Sequence, residues 1–118
     1  MLGKHLIIDV YNADPSILKD MDAVGIMLYD AVIKAGAKVI TKHFHSFGED
    51  SGFTGILCLA ESHLSIHTWP EFGQAAIDAF MCNEEGPSVI VPDIIEIFNA
   101  DARYEIKLIA RGNDHEVR

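Results

Sequence analysis

The segment Glu61-Ser62-His63-Leu64-Ser65-Ile66-His67-Thr68-Trp69-Pro70-Glu71 is the densest concentration of reactive side chains in the chain. Hydroxyls, imidazoles and carboxylates at this spacing suit more than one chemistry. A hydrolase would take Ser62 or Ser65 as nucleophile, His67 as base and Glu71 to orient the imidazole. Neither serine sits in a Gly-x-Ser-x-Gly elbow, so the usual local context is missing. A zinc site would draw on His43, His45, His63 and His67 with one cysteine. His63 and His67 have the His-x3-His spacing that brings ligands together on a helix. The third reading is a solvated edge strand with an ordinary mixture of polar groups. Residue types alone leave all three open.

The elements around the segment limit these readings. Leu64 and Ile66 alternate with His63, Ser65 and His67, a period of two. That is a strand with Ser65 and His67 on one face and Leu64 and Ile66 on the core face. A strand stopped by Trp69-Pro70 argues against the helix that the zinc spacing needs, and no metal is expected. Upstream, His5 to Val10 reads as a strand. Asp14-Pro15 supplies an N-cap acceptor and a ring already at helical φ. Apolar residues at Ile17, Met21, Val24, Leu28, Val32 and Ala35 predict a helix over 15–35, with Gly36 as its left-handed cap. Lys38 to Phe47 and Phe53 to Ala60 read as strands of a hairpin joined through Gly48 to Gly52. Ala75 to Cys82 is another strand, Pro87 to Asn99 a helix that Pro92 either starts or kinks, and Tyr104 to Ile109 a final strand. The expected fold class is α+β, a two-layer sandwich of a mainly antiparallel sheet with two helices packed on one face.

Composition bounds the function. A chain of 118 residues, 49% hydrophobic, is one domain's worth and supports a core of its own, so residues 1–118 are expected to form a single domain. Nine Lys and Arg against eighteen Asp and Glu give a net charge of −9. That charge disfavours nucleic acid and anionic membrane as partners and favours cationic ligands or plain solubility. Two cysteines, Cys58 and Cys82, make no disulfide framework, which suits a reducing cytoplasm. No apolar run approaches the ~20 residues of a membrane span, and Met1 to Tyr11 reads as a strand rather than a secretory signal. Cys58, inside the run Ile56 to Ala60, reads as core.

The run Ala60 to Glu71 resembles the signature of the short prokaryotic S-adenosylmethionine decarboxylases, which are pyruvoyl-dependent pro-enzymes. Gly3-Lys4-His5-Leu6, Asp14-Pro15, Phe44-His45-Ser46-Phe47 and Phe80-Met81-Cys82 also resemble features of that family, so the likeness covers nearly the whole chain. It implies self-cleavage between Glu61 and Ser62, giving a β chain 1–61 and an α chain 62–118. Ser62 would attack the Glu61 carbonyl, and the resulting ester would undergo β-elimination. Hydrolysis of the dehydroalanine, with loss of ammonia, would leave a covalent pyruvoyl group derived from Ser62. His67 carries over as the proton acceptor for processing and Thr54 as an assisting hydroxyl. The pyruvoyl carbonyl would then form a Schiff base with the substrate amine and take up the electrons left by carbon dioxide. Cys82 carries over as the acid that protonates the substrate carbon, and Phe47, Trp69 and Glu71 as substrate contacts. The implied assembly is a homodimer of αβ protomers, and the implied product is decarboxylated S-adenosylmethionine for spermidine synthesis.

The chain departs from that pattern in two segments, 48–53 and 83–91, the second including Glu84-Glu85-Gly86-Pro87 and Val89-Ile90-Val91. The turn Gly48 to Gly52 is one residue longer and lacks a proline, and Asn83 follows Cys82 where a glycine is usual. These changes leave a pyruvoyl-dependent arginine or ornithine decarboxylase as the alternative within the class. A non-catalytic partner subunit that keeps the fold is the alternative outside it.

Overall fold

A computed structural model describes residues 2–99 and 101–112; Met1, Ala100 and 113–118, including the ends of the expected 1–118 domain, lie outside the described residues. Strands β1 (Gly3–Tyr11), β2 (Val39–Ser46), β3 (Phe53–Leu59), β4 (Ser62–Trp69), β5 (Gln74–Met81) and β6 (Arg103–Arg111) form one sheet. Its order is β2-β3-β4-β5-β1-β6, and every neighbouring pair is antiparallel. Strand β4 is therefore interior, hydrogen-bonded on both sides, and the edge-strand reading of this segment is corrected. The sequence pattern shows alternation but says nothing of how many neighbours a strand has.

The helices are α1 (Pro15–Lys19), α2 (Met21–Lys34) and α3 (Val91–Phe98), with short 3-10 turns at Pro70–Phe72 and Pro87–Ile90. The single helix expected over 15–35 is two. Asp20 leaves helical geometry at ψ 74°, and its carboxylate accepts from Ala23 N at 3.1 Å, so it caps a new helix rather than continuing the old one. The far end behaves as expected. Gly36 lies at φ +91°, Gly36 N donates to Ile33 O and Ala37 N to Val32 O, the paired bonds of a Schellman cap. Pro92 stands in the first turn of α3 and starts it.

The α+β sandwich holds, with the helices on one sheet face. Leu6, Ile8 and Val10 of β1, Leu57 and Leu59 of β3, Leu64 and Ile66 of β4, and Ile77, Ala79 and Met81 of β5 are buried with Leu18, Val24, Leu28, Val32, Ile94 and Phe98. Thr68 is the buried polar residue among those described. Its hydroxyl donates to Leu18 O at 2.8 Å and accepts from Phe53 N at 3.0 Å, tying α1 and β3 to β4. On the opposite, open face the alternate residues emerge. Cys58 is exposed there and is not core, because it shares parity with Ile56 and opposes buried Leu57 and Leu59. Both cysteines are free thiols.

Candidate active site

The Glu61-Ser62 junction closes a tight hairpin. Leu59 pairs with Ser62 across β3 and β4, leaving Ala60 and Glu61 as the two connecting residues. Glu61 lies at φ +61° in the left-handed region. The other non-glycine residues described there are Asn12 and Asn99, a type that tolerates this region; glutamate does not. The turn is anchored by Ala60 N donating to Lys38 O at 2.9 Å. Strand β5 ends alongside it, so that the Cys82 thiol donates to the Glu61 carbonyl oxygen with Sγ 3.0 Å away. Ser62, half-buried, opens onto a cavity of about 260 Å³ lined by Lys38, Glu61, Met81, Cys82 and Asn83.

His67 belongs to a second group. Thr54 Oγ1 and His67 Nδ1 lie 3.0 Å apart, on paired positions of β3 and β4. Trp69 stacks beside the imidazole with ring centroids at 6.2 Å, and both are exposed on the open face. Phe47, 63% exposed, stands beyond β2 against His45 at 4.9 Å. Glu71 lies exposed in the 3-10 turn that follows Trp69. Ser62 has the parity of Leu64 and Ile66, the helix-covered side, whereas His67 has the opposite parity. Five residues of strand separate them by about 16 Å. One chain thus holds its candidate residues in two separate groups, Ser62 with Cys82 at one end of β4 and Thr54 with His67 and Trp69 at the other.

A third cluster was not singled out from sequence. His5 Nε2 lies 2.6 Å and His63 Nε2 3.0 Å from Asp78 Oδ2, and Ser65 Oγ donates to Asp78 Oδ1. Burial pushes the Asp78 carboxyl up, but the bonds from Ser65, His63 and His5 outweigh it and hold it below the usual carboxylate range. The four histidines of the zinc reading do not converge. Among the described residues the metal-capable group is instead His5, His63 and Asp78, with donor atoms within 4.8 Å of one another. Arg111 Nη1 lies 3.0 Å from His5 Nδ1. Arginine only donates, so Nδ1 accepts, and Nε2 keeps its proton for Asp78. As arranged here, the cluster is held together by hydrogen bonds. Its members come from β1, β4, β5 and β6, and only strand order could have revealed it.

The family model described as S-adenosylmethionine decarboxylase matches residues 4–112. An S-adenosylmethionine decarboxylase proenzyme of Thermodesulfovibrio yellowstonii is 48% identical over 82% of this chain and 72% of its own length. One of Methanococcus aeolicus is 43% identical over 95% of each chain. The crystal structure of the adenosylmethionine decarboxylase from Aquifex aeolicus superposes with a TM-score of 0.83 at 33% identity, over 95% of this chain and 92% of the other. No helix among the described residues is long and apolar enough to cross a membrane. The chain therefore belongs to the S-adenosylmethionine decarboxylase family.

Proposed function

We propose that this chain is a pro-enzyme that cuts itself between Glu61 and Ser62 and then decarboxylates S-adenosylmethionine. The observation that carries the reading is the Cys82 thiol donating to the Glu61 carbonyl, the one bond whose attack by Ser62 would generate an oxyanion there. Attack by Ser62 Oγ forms a C–O bond and, on collapse, breaks the Glu61–Ser62 C–N bond, giving an ester and a free amine. Removal of the Ser62 α-proton then breaks the Cβ–Oγ bond. Glu61 leaves as a carboxylate, and the dehydroalanine left at position 62 takes up water and loses ammonia. The residues present fit a pyruvoyl group at position 62: a half-buried strand terminus, a cavity beside it and a proton donor at its edge. That group supplies the electron sink for loss of carbon dioxide. Cys82 then holds a proton at the same edge for the substrate carbon.

His67 does not serve the Ser62 of its own chain, since it lies about 16 Å along the strand on the other face. A second copy supplies the base, its open face meeting the end of β4 where Ser62 borders the cavity. That face carries Ile56, Trp69 and Ile109, each between 41% and 47% exposed, more apolar surface than a solvated sheet face needs. A two-fold interface is self-complementary, so one copy's His67 and Thr54 meet the Ser62 end of the other's β4 while the reverse contact forms at the second site. Trp69, Phe47 and Glu71 accompany His67, which puts an aromatic face and a carboxylate beside the reacting end for a sulfonium substrate. The relatives' names and the net charge of −9 support that substrate, in a cytoplasmic enzyme that feeds spermidine synthesis.

Mass spectrometry of the purified protein tests the cleavage. Fragments 1–61 and 62–118, the second blocked to Edman degradation, are expected; an intact single chain points to the non-catalytic subunit. Decarboxylation of S-adenosylmethionine, arginine and ornithine assayed side by side tests the substrate, with release from the first expected and release from either of the others overturning it.

A further inference from the structure

We infer that the left-handed backbone of Glu61 is a spring that speeds the acyl shift, so that the conformation of this residue, beyond its carbonyl, is part of the processing machinery. The inference rests on the self-cleavage reading and deepens it. A glutamate at φ +61° is held against its own preference, because its Cβ crowds the following carbonyl. The surroundings that hold it are visible. Leu59 and Ser62 are fixed in register, Ala60 N is bound to Lys38 O, and the Cys82 thiol holds the Glu61 oxygen. Two residues must close the hairpin, and the second position of such a turn with φ above zero favours glycine or asparagine. Nothing about packing requires the strained choice, since the Glu61 side chain is exposed and no hydrogen bond or ion pair to it is seen among the described residues.

The chemistry relieves the strain. In the amide, two bonds join the Glu61 carbonyl carbon to the Ser62 Cα through nitrogen. In the ester, three bonds join them through Oγ and Cβ. The loop lengthens by one bond, the planar amide is gone, and Glu61 is free to leave the left-handed region. After elimination it is a chain end with no constraint. Strain present in the amide and shed on the way to the ester lowers the barrier between them. Full expression of left-handed strain corresponds to about 5–30-fold in rate.

The test is a substitution series at one position, read as the rate of self-cleavage of freshly translated chain on denaturing gels. Glu61→Ala removes the carboxylate but keeps the strain, Glu61→Asn removes most of the strain, and Glu61→Gly removes all of it. The alanine variant is the reference for the other two. Glycine is expected about 5–30-fold slower than alanine, with asparagine between them. In chains made uncleavable by Ser62→Ala, Glu61→Asn should also melt higher than Glu61→Ala, by about 2–5 °C. Glycine cleaving as fast as alanine overturns the inference while leaving self-cleavage standing. So does failure of all three variants beside a cleaving parent, since the carboxylate would then govern. A parent chain that never cleaves overturns the self-cleavage reading and the inference with it.

Discussion

Co-production of two differently tagged, separately inactive chains decides whether the Ser62 and His67 groups meet between copies. One chain carries Ser62→Ala and the other His67→Ala. Proton transfer needs the base within about 3 Å, or one water, of the group it serves. Within a chain the separation is about 16 Å, so His67 cannot act on its own Ser62 without tearing β4 out of the sheet. In a mixed dimer, the intact Ser62 of one chain faces the intact His67 of the other at one site, and the second site lacks both. With random pairing of equal amounts, about half of the His67→Ala chains find such a partner. About half of the tagged His67→Ala chain should therefore cleave in the mixture, against little or none when it is made alone. The assay is an immunoblot for the fragment carrying that tag, at several mixing ratios. The cleaved fraction should follow the fraction of Ser62→Ala chains. A His67→Ala chain that stays intact at every ratio would refute the reasoning, as would one that cleaves fully without a partner.

Cys82→Ala should slow self-cleavage as well as turnover, because the thiol donates to the scissile carbonyl before any pyruvoyl exists. A positioned oxyanion donor is worth about 10²–10³-fold, and a thiol is a weak one, so about tenfold is expected in a cleavage time course. Asp78→Asn should lower the melting temperature at neutral pH and flatten its acid limb. The folded Asp78 carboxyl lies below its unfolded value, so its contribution is complete above about pH 4 and fades as pH falls through the lower folded value. Thermal melts over that range check it, and equal acid limbs in parent and variant would dismiss the network. Gly55→Ala should destabilise by about 1–3 kcal/mol, because a Cβ there enters the Phe44 ring. Urea unfolding in the Ser62→Ala background measures that cost without interference from cleavage.

Much of the local structure was legible because it depends on near neighbours along the chain. The alternation Leu64-Ser65-Ile66-His67 read correctly as a strand, since period two follows from the pleat alone. Asp14-Pro15 started a helix and Gly36 ended one, because caps are built from adjacent groups. Asp20 defeated the same logic. The apolar spacing runs straight through it, and only its capping bond to Ala23 shows the break. Cys58 is exposed although it lies in an apolar run, because only one face of this sheet is covered and the run does not say which strand faces are. Glu61 gave no signal at all, since a two-residue turn normally announces itself with glycine or asparagine.

The sequence by itself determined which residue types are available for the chemistry, the faces they occupy on their strands, and the family that shares them. The fold alone decided what lies beside what. His5 and Asp78 are 73 positions apart and meet because β1 inserts between β5 and β6. Cys82 reaches the Glu61 carbonyl because β5 ends beside the β3–β4 turn, and Lys38 anchors that turn because β2 begins there. Ser62 and His67, close in sequence, are kept apart by an extended strand that advances about 3.3 Å per residue and turns alternate side chains to opposite faces. Nearness along the chain is governed by covalent geometry and local preference, whereas nearness in space across a sheet is governed by strand order, which no short segment encodes.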